Sequence, residues 1–195
     1  MRKADARNIP LADESIDLII TSPPYSTSYD YSDIHQLSAL LFGFCRSLAD
    51  FRHDFIGRKG GNEHYMGRAL KNSRANEVVQ RLSVSDVRLS QAITAYFFDM
   101  DLAYKEIRRV LRQNKRACIV IGDTELRRVP IPNTEIAIEQ LKRAGLQLER
   151  VIERPVVGRV LAPFRSMSDG RFTSSSDPDA RKVYSHEYII IVRKV

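Results

Sequence analysis

Apolar residues along the chain group into short runs that predict buried strands. Runs at 16–21, 117–121 and 188–192 are mostly aliphatic, as in strands that are covered on both faces. The first run ends at the Pro-Pro pair of residues 23–24, because proline cannot donate to a strand ladder. A less regular run at 146–153 predicts a fourth strand.

Apolar residues spaced three and four apart predict three helices. The first would begin at Asp33 as N-cap, and the third at Asn133, with Gly145 at its end. The second would end at residues 113–115, where Asn114 can adopt the left-handed cap conformation. The inward residues are Ile34, Leu37, Leu41, Phe44 and Leu48 in the first helix, Ile93, Phe97, Met100, Tyr104, Ile107 and Leu111 in the second, and Ile136, Leu141 and Ala144 in the third.

This order of elements predicts a single α/β domain over residues 1–195. The last two strands have no helix between them, so we expect them to be antiparallel neighbours. Polar stretches at 51–74 and 163–182 read as long loops. Asp123, at the end of a strand, either faces a pocket or caps the next turn, and capping is favoured.

Composition narrows the class of protein. A content of 43% hydrophobic residues in 195 fits a folded domain, and no apolar run reaches the roughly 20 residues of a membrane span. Cys45 and Cys118 form neither a disulfide framework nor a zinc motif, and the four histidines lack metal-ligand spacing. With no secretion signal at the start, we expect a cytosolic protein without a metal. The net charge of +7 favours an anionic partner, of which nucleic acid is the usual one.

The segment Thr21-Ser22-Pro23-Pro24-Tyr25 carries the candidate chemistry, because ligands of α/β sheets bind beyond the carboxyl ends of strands. Methyl transfer to the exocyclic amine of a nucleobase needs acceptors that hold the amine protons in a preorganised site. Ser22 offers a side-chain oxygen and Pro23 a rigid carbonyl, while Pro24 brings no competing N–H. Tyr25 can stack on a base rotated out of a duplex. The alternative is a turn that only ends the strand.

The chain resembles the DNA amino-methyltransferases, enzymes that use S-adenosylmethionine to methylate N4 of cytosine or N6 of adenine. The resemblance is carried by residues 5–11, 13–25, 29–31, 110–111, 119–123 and 186–194. It implies a Rossmann-like class I methyltransferase sheet, whose family order is 3-2-1-4-5-7-6. This chain would supply the equivalents of strands 4-5-7-6, with the last strand antiparallel and a helical and loop insertion.

The resemblance also implies roles for individual residues. Ser22, Pro23, Pro24 and Tyr25 match the catalytic motif, and Ser22 in its first position favours cytosine N4 over adenine N6. Cofactor contacts are implied for Asp5, Ala6, Thr21 and Ser22, with Asp5 and Ala6 next to the cofactor's adenine. A restriction-modification role would follow from such an activity.

One family feature is missing from the 195 residues. The glycine-rich turn that holds the methionine end of the cofactor should precede Asp5, and no glycine of this chain follows a buried strand in that context. The strand at 16–21 would then be an apolar sheet edge, which proteins normally cover. We therefore expect a split or truncated methyltransferase, completed by a second chain or by a homodimer. The alternatives are an inactive remnant or DNA-binding partner subunit, and an RNA amino-methyltransferase.

A basic insertion at residues 52–88 is the candidate DNA-contacting region, with eight Arg or Lys against four Asp or Glu. The alternative is a solvated basic loop. The nucleic-acid-binding candidates are Tyr29, Arg58, Lys59, Arg68, Lys71 and Arg74. With DNA as partner, we expect a cytoplasmic, nucleoid-associated protein.

Overall fold

The structure is a computed structural model that describes residues 4–26, 31–47, 49, 51, 55–56, 65, 68–156, 164–166, 172–182 and 186–195. The helices are α1 (Tyr31–Leu41), α2 (Ser73–Ser85), α3 (Val87–Val110) and α4 (Asn133–Arg143). The strands are β1 (Ile16–Thr21), β2 (Leu111–Ile121), β3 (Thr124–Leu126), β4 (Val129–Ile131), β5 (Leu146–Pro155), β6 (Phe164–Ser166), β7 (Phe172–Thr173), β8 (Ala180–Lys182) and β9 (His186–Lys194).

The main sheet has four strands in the order β1-β2-β9-β5. β1 and β2 are parallel, and β9 is antiparallel to both of its neighbours, β2 and β5. The fold-class prediction is therefore confirmed: a partly parallel α/β sheet whose last strand is antiparallel, with β5 and β9 as neighbours. β1 lies at one edge of this sheet, and β5 lies at the other.

One face of the sheet carries the core. The stripe predicted for the second helix is buried along the whole of α3, and α3 packs against α2 and α4. On the sheet, Ile119 and Ile190 are paired across β2 and β9, and both are completely buried beneath these helices. Burial of each such side chain stabilises the fold by about 1.5–3 kcal/mol. The same packing holds β2 and β9 in the register that brings their polar ends together.

The first helix differs from its prediction in both start and burial. α1 begins at Tyr31, so Asp33 lies inside the helix and is not its N-cap. Leu37 and Leu41 are each 77% exposed and Phe44 is 71% exposed. The helix also ends at Leu41, so Phe44 lies beyond it, and the core beside the sheet is filled by α2 and α3 instead. Leu48 and the side chain of Ile34 lie outside the described residues.

The end of the second predicted helix is also different. α3 ends at Val110, and residues 113–115 belong to β2. Asn114 does adopt a left-handed conformation, at φ 62°, but where the register between β1 and β2 shifts. Two ion pairs link β2 to β1 here. The Nη1 of Arg112 lies 2.7 Å from the Asp17 carboxylate, and the Nζ of Lys115 lies 3.2 Å from the same carboxylate.

The start of α4 differs from the predictions for both Asp123, expected to cap the turn next to it, and Asn133, expected to be the N-cap. The Oδ1 of Asp123 accepts a hydrogen bond of 2.9 Å from the backbone N–H of Thr134. Asn133 is the first helical residue, and its amide donates to the carbonyl of Gly122 at 3.0 Å and to the hydroxyl of Thr124 at 3.1 Å. The carboxylate of Asp123 occupies the capping position, so Asn133 is used to tie the helix to the end of β2. Gly145 ends the helix as predicted, at φ 90°.

Two stretches predicted as loops contain regular structure. Within 163–182, β6 pairs with both β7 and β8 in a small three-stranded sheet. At the end of the polar stretch at 51–74, α2 begins at Ser73. Asn72 caps it, and its side chain accepts from the N–H of Ala75 at 2.9 Å. Short strands held by cross-strand partners carry too little local pattern to be predicted from composition.

Candidate active site

The Ser-Pro-Pro-Tyr turn follows β1 at the carboxyl end of the parallel pair. β2 ends beside it at Ile121, which pairs with Tyr188 near the start of β9. Because the two parallel strands end at the same edge and β9 begins there, residues 22–26, 122–124 and 186–188 converge at one place. This is the edge where α/β sheets bind their ligands.

Three hydrogen bonds hold the turn to three different elements. The phenol of Tyr96 on α3 donates to the carbonyl of Pro24 at 2.9 Å. The phenol of Tyr25 donates to Oε1 of Glu187 on β9, also at 2.9 Å. The hydroxyl oxygens of Ser26 and Thr124 lie 3.0 Å apart in a buried hydrogen bond. A turn fixed at three consecutive residues is preorganised, which is what a functional constellation requires.

Ser22 and Tyr25 keep different amounts of accessible surface. Ser22 is exposed, and within the described part of the chain its hydroxyl makes no hydrogen bond. Pro23 is buried, and Tyr25 is half-buried with its ring against Gly122. A Cβ at residue 122 would lie 3.4 Å from Cε2 of Tyr25, an ordinary van der Waals distance, so the ring lies directly against the end of β2. The turn therefore presents one open hydroxyl beside one anchored aromatic ring.

The predicted cofactor residues lie in a turn that is tied to α3. Asp5 and Ala6 are exposed, and Thr21 is half-buried at the end of β1. The Arg7 guanidinium donates to Asp5 at 2.7 Å and to the buried carboxylate of Asp99 at 3.0 Å. Its hydrogen bond to Asp5 holds the pKa of that carboxyl below its usual value.

Asp99 and Tyr96 are three residues apart on α3, so they share one turn of the helix. Through them, the turn at Asp5 and the turn at Pro24 are both anchored on the same short stretch of α3. Neither residue was predicted from the sequence. An aspartate on the inward side of an apolar helix is a usable signal, since a buried charge requires a partner. Glu187 was part of the resemblance, but no role was predicted for it.

The basic candidates are only partly described. Arg68, Lys71 and Arg74 are exposed, and Arg74 makes an ion pair with Glu135 of α4. Tyr29, Arg58 and Lys59 lie outside the described residues. Contact of this region with DNA stays a prediction, as does the limit of the insertion at 52–88.

Among the described residues, no three His, Cys, Asp or Glu side chains are grouped so that they could hold a metal ion. In the same part of the chain, no helix has both the length and the apolar character needed to cross a membrane.

Comparison with known proteins gives relatives in sequence but no matching family model. The chain is 24% identical over 156 residues to the Type II methyltransferase M.AvaI of Nostoc sp. (strain PCC 7120) and to M.AvaI of Anabaena variabilis. The match covers 71% of this chain and 32% of each relative, so the chain spans about a third of the length of these relatives. These relatives confirm the resemblance to the DNA methyltransferases.

Solved structures with a similar chain path include TTHA0409 of Thermus thermophilus, provisionally named a DNA modification methylase. Its complex with S-adenosyl-L-methionine has a TM-score of 0.47 and 18% identity, over 97% of this chain and 53% of that chain. An S-adenosylmethionine-dependent methyltransferase of Methanosarcina mazei has a TM-score of 0.40 and 10% identity, over 98% of this chain and 65% of that chain.

Proposed function

We propose that this chain is the catalytic and C-terminal portion of a DNA methyltransferase, which transfers a methyl group from S-adenosylmethionine to the exocyclic amine of a flipped base. The observation that carries the proposal is the anchored Ser-Pro-Pro-Tyr turn, which leaves the hydroxyl of Ser22 open beside the ring of Tyr25. The sequence similarity to M.AvaI agrees with it. Such a protein would act in the cytoplasm at the nucleoid.

The residues of the turn have distinct roles in this mechanism. The hydroxyl of Ser22 and the carbonyl of Pro23 accept the amine protons and draw the nitrogen toward tetrahedral geometry. Tyr25 stacks on the base and holds it out of the duplex. The amine nitrogen would form a bond to the methyl carbon as the bond from that carbon to the sulfonium sulfur breaks, with a neutral thioether as leaving group. The nitrogen would then be cationic, so it would release its proton to water without a strong general base. Serine at position 22 favours cytosine N4 over adenine N6.

The cofactor, when bound, supplies an electrophilic methyl group on sulfonium sulfur. Residues of this chain offer only part of a binding site: Asp5 and Ala6 stand in an exposed turn, and Thr21 and Ser22 lie at the end of β1. Because Arg7 already engages the Asp5 carboxylate, that side chain would be shared between Arg7 and the cofactor. No glycine-rich turn after a buried strand is present in the 195 residues.

A second chain that carries the glycine-rich cofactor motif would complete the enzyme. The edge strand β1 agrees with this, since Leu18 is 55% exposed and Ile20 is 71% exposed. An aliphatic edge of this kind pairs readily with another strand. The other form of completion is a homodimer through the same edge.

The face of the sheet opposite the core agrees with the same completion. On this face, register places Ile20 beside Cys118 and Ile191, and Val120 beside Ile189 and Ile152. All six side chains are at least partly exposed, and Ile152 is 39% exposed. All-parallel sheets are covered on both faces, and in this mixed sheet the parallel pair of β1 and β2 carries Ile20, Cys118 and Val120 on the outer face.

The proposal is tested by measuring methyl transfer from labelled S-adenosylmethionine to duplex DNA and to transfer RNA. The chain is assayed alone and after co-expression with the polypeptide encoded immediately upstream of it. We expect transfer to DNA only from the combined chains, with N4-methylcytosine as product. We expect Ser22→Ala and Tyr25→Ala each to reduce transfer at least about a hundredfold. Ser175→Ala, at an exposed position between β7 and β8, is the control.

Each of the other outcomes overturns a stated part of the proposal or favours one alternative. Full activity in Ser22→Ala and Tyr25→Ala overturns the catalytic role of the turn. Transfer to RNA alone favours the RNA amino-methyltransferase, and DNA binding without transfer favours the inactive remnant or partner subunit. A monomer of this chain that binds S-adenosylmethionine tightly in calorimetry overturns the need for a second chain.

A further inference from the structure

The ring of Tyr25 is connected to the far edge of the sheet through two charged residues. Its phenol donates to Oε1 of Glu187 at 2.9 Å, and Nη2 of Arg154 donates to Oε2 of the same carboxylate at 2.6 Å. Glu187 and Arg154 are directly opposite each other in the register of β9 and β5. The carboxylate is 19% exposed, so it is largely removed from solvent and bonded at both oxygens.

This arrangement restricts the ring in two ways. The hydroxyl is held by a charge-assisted hydrogen bond, a class that is roughly twice as strong as a neutral one. The ring itself lies against Gly122 at the end of β2. Because the phenol oxygen lies on the axis of ring rotation, its hydrogen bond fixes the direction in which the ring extends, and the contact with Gly122 limits rotation about the Cβ–Cγ bond. The position of the ring is therefore set by β9 and β5 as well as by the turn.

We propose that Glu187 is a positioning residue for the proposed reaction, held by Arg154, and that it fixes the position of the Tyr25 ring on which the target base stacks. This inference rests on the proposed function for the identity of the base. It adds that the phenol hydroxyl anchors the Tyr25 ring to Glu187. It also assigns the N-terminal end of β9 a part in the site, although nearly the whole chain lies between Tyr25 and Glu187.

A purely structural cross-strand ion pair is the competing explanation, and the sheet contains a matched example. Arg116 of β2 and Glu149 of β5 form a pair with an Nε to Oε2 distance of 2.6 Å. Glu149 is on the same strand as Arg154 and its carboxylate is 25% exposed. Glu149→Ala therefore removes a carboxylate of similar kind from the same sheet without touching Tyr25.

The experiment compares Glu187→Ala, Glu187→Gln and Arg154→Ala with Glu149→Ala in the full chain. The first readout is the fluorine resonance of Tyr25 in protein labelled with 3-fluorotyrosine, assigned by its loss in Tyr25→Phe. We expect Glu187→Ala to shift and narrow this resonance, Arg154→Ala to shift it less, and Glu149→Ala to leave it unchanged. Glu187→Gln keeps an acceptor for the phenol, so it should retain most of the wild-type signal.

The second readout is photo-crosslinking of the chain to a single-stranded oligonucleotide that contains 5-iodocytosine. We expect Glu187→Ala to reduce crosslinking at Tyr25 about tenfold, in line with the loss of one hydrogen bond to a charged group. We expect Glu149→Ala to have no such effect. In the combined-chain assay, the same substitution of Glu187 should lower kcat for methyl transfer with little change in the KM for cofactor.

The two readouts separate the failures. An unchanged Tyr25 resonance in Glu187→Ala overturns the positioning role, whatever the activity. A changed resonance together with no crosslink and no transfer from the wild-type protein overturns the proposed function, while the anchoring of the ring stands. If Glu187→Ala does not fold by circular dichroism, a shift in Arg154→Ala supports the proposal and its absence overturns it.

Discussion

The two faces of the four-stranded sheet differ in what covers them. On the inner face, Ile119 and Ile190 are completely buried beneath helices of the same chain. On the outer face, Ile20 is 71% exposed in the structure, although it is as apolar as they are. The comparison teaches that the aliphatic character of a residue does not by itself decide whether it is buried within the chain. On the inner face, the helices that pack on the sheet decide it.

The comparison is tested most strongly by removing one isoleucine from each face. Ile190→Ala leaves a cavity in the packed core and should lower the free energy of unfolding by about 2–5 kcal/mol. Ile20→Ala removes a mostly exposed side chain, so we expect a change within about 0.5 kcal/mol. Urea denaturation of the isolated chain measures both values. Equal losses would contradict the difference between the faces.

A charge on the outer face tests whether that face is an interface. Ile20→Glu should leave the stability of the isolated chain nearly unchanged, because the side chain meets water. In the combined chains it would place an unpaired carboxylate in an apolar contact, and we expect at least about a tenfold weaker association. Sedimentation of the two chains together measures the association. Unchanged association would remove the outer face from the proposed interface.

We place the proposed DNA contact in the basic insertion, and charge reversals there and on the edge strand β5 test this location. Arg68→Glu combined with Lys71→Glu should weaken binding of duplex DNA about tenfold and flatten its dependence on salt, because each phosphate contact releases counterions. Arg150→Glu, on the edge strand β5, is the charge-matched control for Arg68→Glu alone and should change both quantities less than that single reversal does. Fluorescence anisotropy over a range of salt concentrations measures them. A larger effect of Arg150→Glu would place the DNA near β5 instead.

The smallest expected effect concerns acid. The hydrogen bond from Arg7 lowers the pKa of Asp5, so the ionised carboxylate stabilises the fold above the unfolded pKa of about 3.9. That contribution is lost as the pH falls through the lower folded pKa. Asp5→Asn should therefore be less stable than wild type at pH 6, and the difference should shrink toward pH 3. Thermal unfolding across this range measures it; a constant difference would exclude the titration of Asp5 as its source.

Some local features could be predicted because neighbouring residues decide them. Five of the six apolar residues predicted for the second helix lie in α3 and are buried, since residues at helical spacing share one face. Gly145 ends α4 as predicted, because glycine readily adopts the left-handed conformation after a helix. The hydrogen bond of Asp123 to Thr134, eleven residues away, was not predicted. The burial of α1 and the role of Asn114 were predicted incorrectly. Both depend on contacts with distant parts of the chain. The core position expected for α1 is taken by α2, and the segment around Asn114 is part of β2, which pairs with β1 and contacts Asp17.

The sequence by itself determined the four strands of the main sheet, the regular helix α3 and the Ser-Pro-Pro-Tyr turn, because these follow from periodicity, from proline and from the chemistry of adjacent side chains. Only the tertiary structure decided which groups hold the turn. Tyr96, Glu187 and Asp99 come from distant positions, and their hydrogen bonds exist only after the sheet and α3 have packed. The physical reason is range: spacing along a chain encodes local conformation, whereas a hydrogen bond between distant residues depends on the register and packing of the whole domain.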